Sequence, residues 1–180
     1  EDWNSAKERT VTDYLTHAPV LFETPSPFDY ANNARVLVLS DVKKNDLAQV
    51  AGACQALFKA AQGGALGLFT AIQRLRAVHE KIQGPLEEAG IPLYAQHADD
   101  INAGTLVDMF REDTHACLLG TDAVRDGVDV PGESLRLLVY DRVPWPRPTI
   151  LHKARRKRFG ERRYDEMITR LRLKQAFGRL

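Results

Sequence analysis

Apolar runs of two kinds alternate along this chain of 180 residues. Short runs rich in valine and leucine are typical of buried strands, and longer segments with apolar residues every three to four positions are typical of amphipathic helices. The first kind predicts strands at 35–40, 65–70, 91–95, 115–120 and 134–141. The second kind predicts helices at 46–61, from 72 to either Gly84-Pro85 or Gly90, at 102–111, and from Leu151 onward.

This alternation predicts an α/β fold. Nearly continuous apolar strands belong to a mostly parallel sheet with helices on both faces, which is a three-layer sandwich. The length suits a single domain spanning 1–180. Within it, residues 1–34 are interrupted by prolines and predict an irregular lead-in, and residues 142–180 predict a basic helical segment.

The net charge of +1 conceals a strong asymmetry. Residues 142–163 contain nine Lys/Arg and one acid, so this segment carries +8 and the remainder −7. Such an excess favours a polyanionic partner, the alternative being a solvated basic helix face. Trp145, Phe159 and Tyr164 interleave with the cations, which is typical of a path for single-stranded nucleic acid but equally of ordinary packing.

The sequence gives little support for a metal site or for a membrane-spanning segment. Cys54 and Cys117 lie far apart inside apolar patterns and predict two reduced core thiols, as in an intracellular protein. Two cysteines cannot hold a four-cysteine cluster, and the five histidines lack ligand spacing. No run approaches the roughly 18 apolar residues of a membrane span.

Candidate chemistry follows the predicted strands. Thr70, Gly120-Thr121 and Asp141-Arg142 stand where strands end, and ligands of open parallel sheets bind outside the carboxyl ends of the strands. Each of these residues has an alternative role in a turn or helix cap.

The run G-T-D-A-V-R-D-G-V-D-V-P-G at 120–132 is the densest signal. Its glycines permit close backbone approach to a phosphate, and Thr121 offers a hydroxyl and an amide as donors. Asp129 is suited to accept from a ribose hydroxyl or to orient an arginine. The alternative is a polar loop with glycines at its turns. The chain contains no Gly-Lys pair, so we expect that it cannot form a complete ATP site by itself.

Five blocks, in this order, resemble the second motor domain of DinG/XPD-type superfamily 2 DNA helicases. The last block contains Gln175-x-x-Gly178-Arg179, which is similar to the phosphate-sensing element of ATP-driven helicases. The resemblance extends from about residue 20 to the end of the chain. The blocks are Ser26-Pro27-Phe28, 65–70, 118–135, 139–148 and 173–180.

The resemblance implies a RecA-like fold and an ATP-dependent DNA helicase that moves 5′ to 3′ on single-stranded DNA. ATP and Mg²⁺ would bind between this domain and a first motor domain of the same protein, mostly to the first. The chain alone is therefore expected to be inactive and to hold no metal cluster. The expected partners are single-stranded DNA and the first motor domain, with no membrane, in the cytoplasm at the nucleoid.

The resemblance also assigns roles by position. Thr70 matches the fourth helicase motif. The fifth motif is matched by Gly120, Thr121, Gly127 and Asp129, and the sixth by Gln175, Gly178 and Arg179. It implies catalytic roles for Gln175 and Arg179. The ATP-binding set is Gly127, Asp129, Gln175 and Arg179. The DNA-binding set is Thr70, Gly120, Thr121, Arg125 and Arg142.

Two departures from the family pattern stand out. Where the family usually has Phe-Trp-Glu-Gly-Val-Asp, this chain has V-R-D-G-V-D at 124–129, so Arg125 replaces a tryptophan and favours a guanidinium contact to the nucleic-acid backbone. The chain also ends inside the sixth motif, before its second arginine. Two alternatives therefore stay open: a non-catalytic nucleic-acid-binding module, and an ATP-dependent nuclease-linked relative.

Overall fold

A computed structural model describes residues 27–121, 124, 130 and 132–178, together with residues 7, 17, 20, 22, 24 and 25. The chain divides into two compact units, Glu1–Leu39 and Ser40–Leu180. The described strands and all of the described candidate site residues belong to the second unit.

The first unit contains a short helix, α1 (Tyr30–Asn33), whose N-cap Asp29 accepts from the backbone N–H of Asn32. The apolar residues from Arg35 to Leu39 form no strand, and their side chains are exposed. The strand predicted at 35–40 is therefore wrong. Valine favours extended backbone, but a strand also requires a neighbour that completes its hydrogen bonds.

The second unit contains a four-stranded sheet in the order β2-β3-β1-β4. Its strands are β1 (Ala65–Leu68), β2 (Leu93–Ala95), β3 (Cys117–Gly120) and β4 (Leu137–Tyr140). All three pairings are parallel, which confirms the predicted sheet type. The central β1 ends level with both neighbours, since Leu68 pairs with Gly120 on one side and with Tyr140 on the other.

Five α-helices of this unit lie wholly within the described ranges: α2 (Leu47–Ala60), α3 (Ile72–Glu87), α4 (Ala103–Glu112), α5 (Ile150–Phe159) and α6 (Glu161–Phe177). Asp46, Asn102 and Thr149 cap α2, α4 and α5 by accepting from backbone N–H groups of the first turn, which otherwise lack partners. In the described ranges, no helix is long and apolar enough to cross a membrane.

Helix α3 continues through Gly84 and Pro85 and ends at Glu87, between its two predicted ends. A proline costs its helix one backbone hydrogen bond. Here Ile82 and Leu86 on the same helix are fully buried, and their packing offsets that cost.

Two hydrophobic clusters fill the two faces of the sheet. Alternate residues of the strands point to opposite faces, so Ala65 and Cys117 meet the apolar stripes of α2 and α3, whereas Leu66 and Leu118 meet α4. Ala176 of α6 is also buried in the second cluster. This three-layer arrangement confirms the predicted fold class.

Arg136 closes the amino-terminal edge of the sheet. Its guanidinium donates to the carbonyl oxygens of Ala61, Gln62 and Thr114, and also to that of Glu133. One side chain thus connects the loops at this edge. The loops at the carboxyl edge are the ones that can contact a ligand.

Candidate functional site

The carboxyl ends of the strands place four of the predicted site residues at one edge of the sheet: Thr70, Gly120, Thr121 and Arg142. The ladder continues beyond the strands, because the Phe69 N–H donates to the Gly120 oxygen (2.8 Å) and the Asp141 N–H donates to the Leu68 oxygen (3.1 Å). Thr70, Thr121 and Asp141 therefore lie at the same edge of the sheet. The roles predicted for these residues stay predictions.

Asp141 is the hub of this edge. Its side chain is fully buried, and its two oxygens accept from the Thr70 backbone N–H (3.1 Å) and from Arg74 Nε (2.6 Å). Arg74 is itself largely buried and also donates to the Lys44 carbonyl oxygen at 2.9 Å. A buried carboxylate with a charged partner and a backbone donor holds the loop after β1 in one position.

Thr121 is held by a second side chain, Gln96, which directly follows β2. The Gln96 Oε1 accepts from the Thr121 backbone N–H and from its hydroxyl, both at 2.9 Å. Gln96 is itself buried, and its backbone N–H donates to the Leu119 oxygen at 2.9 Å. The Gln96 side chain therefore lies at the same edge as Thr121.

Gly120 has a packing reason to be glycine. A Cβ at this position would lie 2.5 Å from the Cβ of Val124, which is fully buried. The absence of a side chain at Gly120 therefore lets Val124 pack against the end of β3.

Arg142 lies beside the hub and is half-buried. Its Nη2 donates to Asn45 Oδ1 at 2.8 Å and lies 3.4 Å from the Lys44 oxygen. Arg74 and Arg142 thus both hold the loop before α2 against the sheet edge. A role for Arg142 in DNA binding stays a prediction, and this geometry leaves only part of its guanidinium for a ligand.

The basic segment forms a helical hairpin of α5 and α6, which meet at Gly160. Asp165 ties the two helices, with Oδ1 2.7 Å from His152 Nε2 and Oδ2 3.0 Å from Arg156 Nε. Five other cations of the segment are exposed and form no ion pair with any residue that the structure describes: Arg147, Lys153, Arg155, Lys157 and Arg158.

The three aromatic residues that interleave with the cations, Trp145, Phe159 and Tyr164, differ in exposure. Tyr164 is buried, and the ring of Phe159 stacks on it with centroids 5.7 Å apart. Trp145 is 56% exposed. Its backbone is fixed by flanking prolines and by Arg172 Nη1, which donates to the carbonyl oxygens of Pro144 and Trp145. Packing therefore accounts for two of the rings, and only Trp145 offers a face to a ligand.

Gln175 lies on α6 and is exposed, one residue before the buried Ala176. Four other predicted site residues lie outside the described residues: Arg125, Gly127, Asp129 and Arg179. Their assignments, like those of the described positions, stay predictions.

The two cysteines are buried and free, as the sequence predicts. Burial raises the pKa of both thiols from 9.0 to about 12, so neither is a reactive group. Across the described ranges, no group of three His, Cys, Asp or Glu side chains is arranged to hold a metal ion.

Comparison with known proteins now adds to this geometry. A family profile described as the helicase C-terminal domain matches residues 54–180. The chain belongs to this family. The matched range contains the whole sheet, the Asp141 hub and the basic hairpin.

Similar full-length proteins are of the DinG and YoaA type. The chain is 41% identical over 92 residues to an ATP-dependent helicase DinG of Mycobacterium tuberculosis, which covers 51% of this chain and 13% of that protein. It is 30% identical over 145 residues to the 3′-5′ exonuclease DinG of Bacillus subtilis, covering 76% of this chain and 16% of that protein. It is 30% identical over 170 residues to the ATP-dependent DNA helicase YoaA of Escherichia coli, covering 87% and 26%.

These relatives confirm the resemblance to a DinG/XPD-type helicase C-terminal domain with a RecA-like fold. The chain spans about an eighth to a quarter of the length of the curated relatives it matches. The activity, substrates and partners of a whole protein are therefore matters for proposal.

Two residues at the carboxyl edge of the sheet, Gln96 and Arg74, were not predicted from the sequence. Gln96 directly follows the predicted strand 91–95, so the rule that selected Thr70 and Thr121 selects it as well. Arg74 carries no such signal, because it lies on a helix and reaches Asp141 only through the fold.

Proposed function

We propose that this chain is the second motor domain of an ATP-dependent DNA helicase. The observation that carries the proposal is the alignment of loop tips at one sheet edge, where Thr70, Thr121 and Arg142 follow strands that end level. An edge of this kind is where open parallel sheets bind ligands. Membership of the helicase C-terminal domain family supports the same conclusion.

In this proposal, ATP and Mg²⁺ bind mostly to a first motor domain that faces this edge. ATP hydrolysis requires positive charge directed at the γ-phosphate as negative charge develops on it. Arg179 supplies that charge, and Gln175 contacts the nucleotide beside it. Gly127 and Asp129 approach the nucleotide from the loop after β3. The exposed side chain of Gln175 is compatible with a contact across a domain cleft.

The nucleic-acid partner in this proposal is single-stranded DNA, along which the protein moves 5′ to 3′. Thr70, Gly120, Thr121 and Arg125 contact phosphates, and the exposed cations of α5 extend the path. Trp145 adds a stacking surface for a base, because its ring is exposed and its backbone is held.

ATP turnover tests the motor role. In a protein containing both motor domains, Arg179→Ala and Gln175→Ala should lower DNA-stimulated ATP turnover at least tenfold while nucleotide binding is largely retained. Gln83→Ala is the matched control, since Gln83 is also an exposed helical glutamine but lies on α3. Unchanged turnover in both site variants would remove these two residues from the catalytic machinery.

Binding of oligothymidylate tests the stacking role. Trp145→Ala should weaken binding by about tenfold, within the range for loss of one stacked base, and Trp145→Phe should retain part of it. Phe159→Leu serves as control because Phe159 packs on Tyr164, so it should change stability more than binding. Equal binding by the wild type and Trp145→Ala would exclude Trp145 from the path.

A second candidate function is an ATP-dependent nuclease-linked protein, favoured by the Bacillus subtilis relative that is named an exonuclease. Incubation of the whole protein with a labelled partial duplex that carries a 5′ single-stranded tail, Mg²⁺ and ATP distinguishes the two. Strand displacement with intact DNA supports the helicase, and release of mononucleotides supports the nuclease. Binding with neither activity supports a non-catalytic module.

A further inference from the structure

Both hydrogen-bond donors of Thr121 are already engaged, so neither is available to a ligand. A threonine offers two hydrogen-bond donors, its backbone N–H and its hydroxyl. Both are directed to one atom, Gln96 Oε1, at 2.9 Å. A backbone N–H can only donate, so the atom that receives it must be the carboxamide oxygen and not the nitrogen.

A DNA phosphate oxygen is an acceptor only, as is Gln96 Oε1. The two acceptors therefore compete for the same pair of donors on Thr121. The position of Gln96 is well defined, because the residue is buried and its backbone N–H donates to the Leu119 oxygen. The carboxamide is neutral, so an anionic phosphate forms stronger, charge-assisted bonds with the same donors and can displace it.

We infer that Gln96 is a positioning residue that occupies the phosphate position on Thr121 until DNA displaces it. This inference rests on the proposed function, because it takes Thr121 as a phosphate contact. Before DNA binds, Gln96 satisfies both donors and keeps Thr121 in place. It also lowers the affinity for the DNA strand, because the phosphate must replace these two hydrogen bonds. The site is thereby prepared for repeated binding and release rather than for tight retention.

Two substitutions in the full chain, made singly and together, test the exchange. Gln96→Met keeps the size of the side chain but removes the competing acceptor, so oligothymidylate should bind about fivefold more tightly, which corresponds to about one net hydrogen bond. Thr121→Val removes the hydroxyl donor and should weaken binding. In the Thr121→Val background, Gln96→Met should give a clearly smaller gain, because only the backbone N–H is left to be released.

A merely structural role for Gln96 predicts the opposite result. If the carboxamide only supported the loop, or itself contacted the strand, Gln96→Met would bind more weakly or equally, and either outcome would overturn the inference. Thermal unfolding of each variant separates a loss of folding from a loss of binding. Absence of oligothymidylate binding by the wild type at low salt would instead refute the proposed function itself.

An NMR titration of the wild-type chain gives a readout without substitution. Addition of oligothymidylate should shift the side-chain amide resonances of Gln96 together with the backbone amide of Thr121, because the bond between them is exchanged. A shift of Thr121 with unmoved Gln96 side-chain signals would overturn the inference even if Gln96→Met fails to fold.

Discussion

At the scale of single residues, the edge of the sheet is organised by Asp141. Its carboxylate is fully buried, and its partners lie about seventy positions away in the chain: Arg74 at a separation of 67 and the Thr70 N–H at 71. A buried charge of this kind is tolerated only because both of its oxygens are bonded. The position of the Thr70 backbone, and of any ligand it meets, therefore depends on this carboxylate.

Asp141→Asn should lower the free energy of unfolding by about 2 kcal/mol, because Arg74 is left largely buried without its counter-charge. Asp108→Asn is the matched control. It removes an ion pair with Arg111 at a side chain that is 64% exposed, and the cost should stay within about 0.5 kcal/mol. Urea unfolding of both variants measures the difference, and equal stabilities would mean that the buried pair contributes nothing.

The two buried thiols make the free energy of unfolding depend on pH. Burial raises the pKa of the Cys54 thiol to about 12, whereas in the unfolded chain the thiol ionises near 9. Below pH 9 the thiol is protonated in both states and has no effect on stability. Above it, the unfolded chain loses the proton and the folded chain retains it, so the free energy of unfolding falls as pH rises towards 12.

Cys54→Ala should remove this contribution, making the decline in stability between pH 9 and 11 shallower than in the wild type by about 1 kcal/mol per pH unit. Urea unfolding across this range provides the measurement. Cys117→Ala should act in the same direction, because burial raises the pKa of its thiol equally. Parallel pH profiles for the wild type and Cys54→Ala would contradict the assignment.

At the scale of elements, one backbone position separates α5 from α6. Gly160 has a φ of 89°, which L side chains rarely adopt, and it allows Asp165 to meet His152 and Arg156 across the hairpin. The sequence predicts helix from Leu151 onward, and the break at Gly160 gives that segment two helices instead of one. The hairpin in turn determines which cations face solvent.

Gly160→Ala should cost about 1–2 kcal/mol of stability through backbone strain alone, because a Cβ would meet only ordinary contacts there. Gly52→Ala is a matched control with the opposite sign. Gly52 lies inside α2 with open space around it, so alanine should stabilise the helix by about 0.5–1 kcal/mol. Thermal unfolding of the two variants tests both signs, and a stabilising Gly160→Ala would refute the argument.

At the scale of the whole molecule, positive charge is concentrated in one segment of the chain. Residues 142–163 carry +8 within a chain of net charge +1. Internal ion pairs engage part of this charge, as with Arg156 and Asp165, and leave the exposed cations of α5 available. An excess of this kind attracts single-stranded nucleic acid by releasing its counterions, which makes affinity depend on salt.

Paired charge reversal of Lys153 and Arg158 to glutamate should weaken oligothymidylate binding and reduce the slope of log affinity against log salt by about 1.4, corresponding to two phosphate contacts. Lys81→Glu on α3 should change neither quantity appreciably, since Lys81 is exposed but lies outside the basic segment. Fluorescence anisotropy at several salt concentrations supplies both values. An unchanged slope in the double variant would remove α5 from the path.

The sequence by itself determined the classes of element and their order, because strand and helix periodicity are local properties of the chain. It also determined that polar residues such as Thr70 and Thr121 follow strands, and a parallel sheet then brings those residues to one edge. The tertiary structure decided which donors and acceptors are already engaged. The bonds from Thr121 to Gln96 and from Arg74 to Asp141 join distant segments, so no local pattern encodes them.

The same distinction explains the errors. The run at 35–40 has strand composition but forms no strand, since pairing depends on a neighbour and not on the run itself. Arg142 and the aromatic residues of the basic segment have equivalent sequence signals for a ligand. Folding buries Tyr164, bonds part of the Arg142 guanidinium to Asn45, and leaves the ring of Trp145 exposed, because burial and hydrogen bonding are decided by which elements pack together.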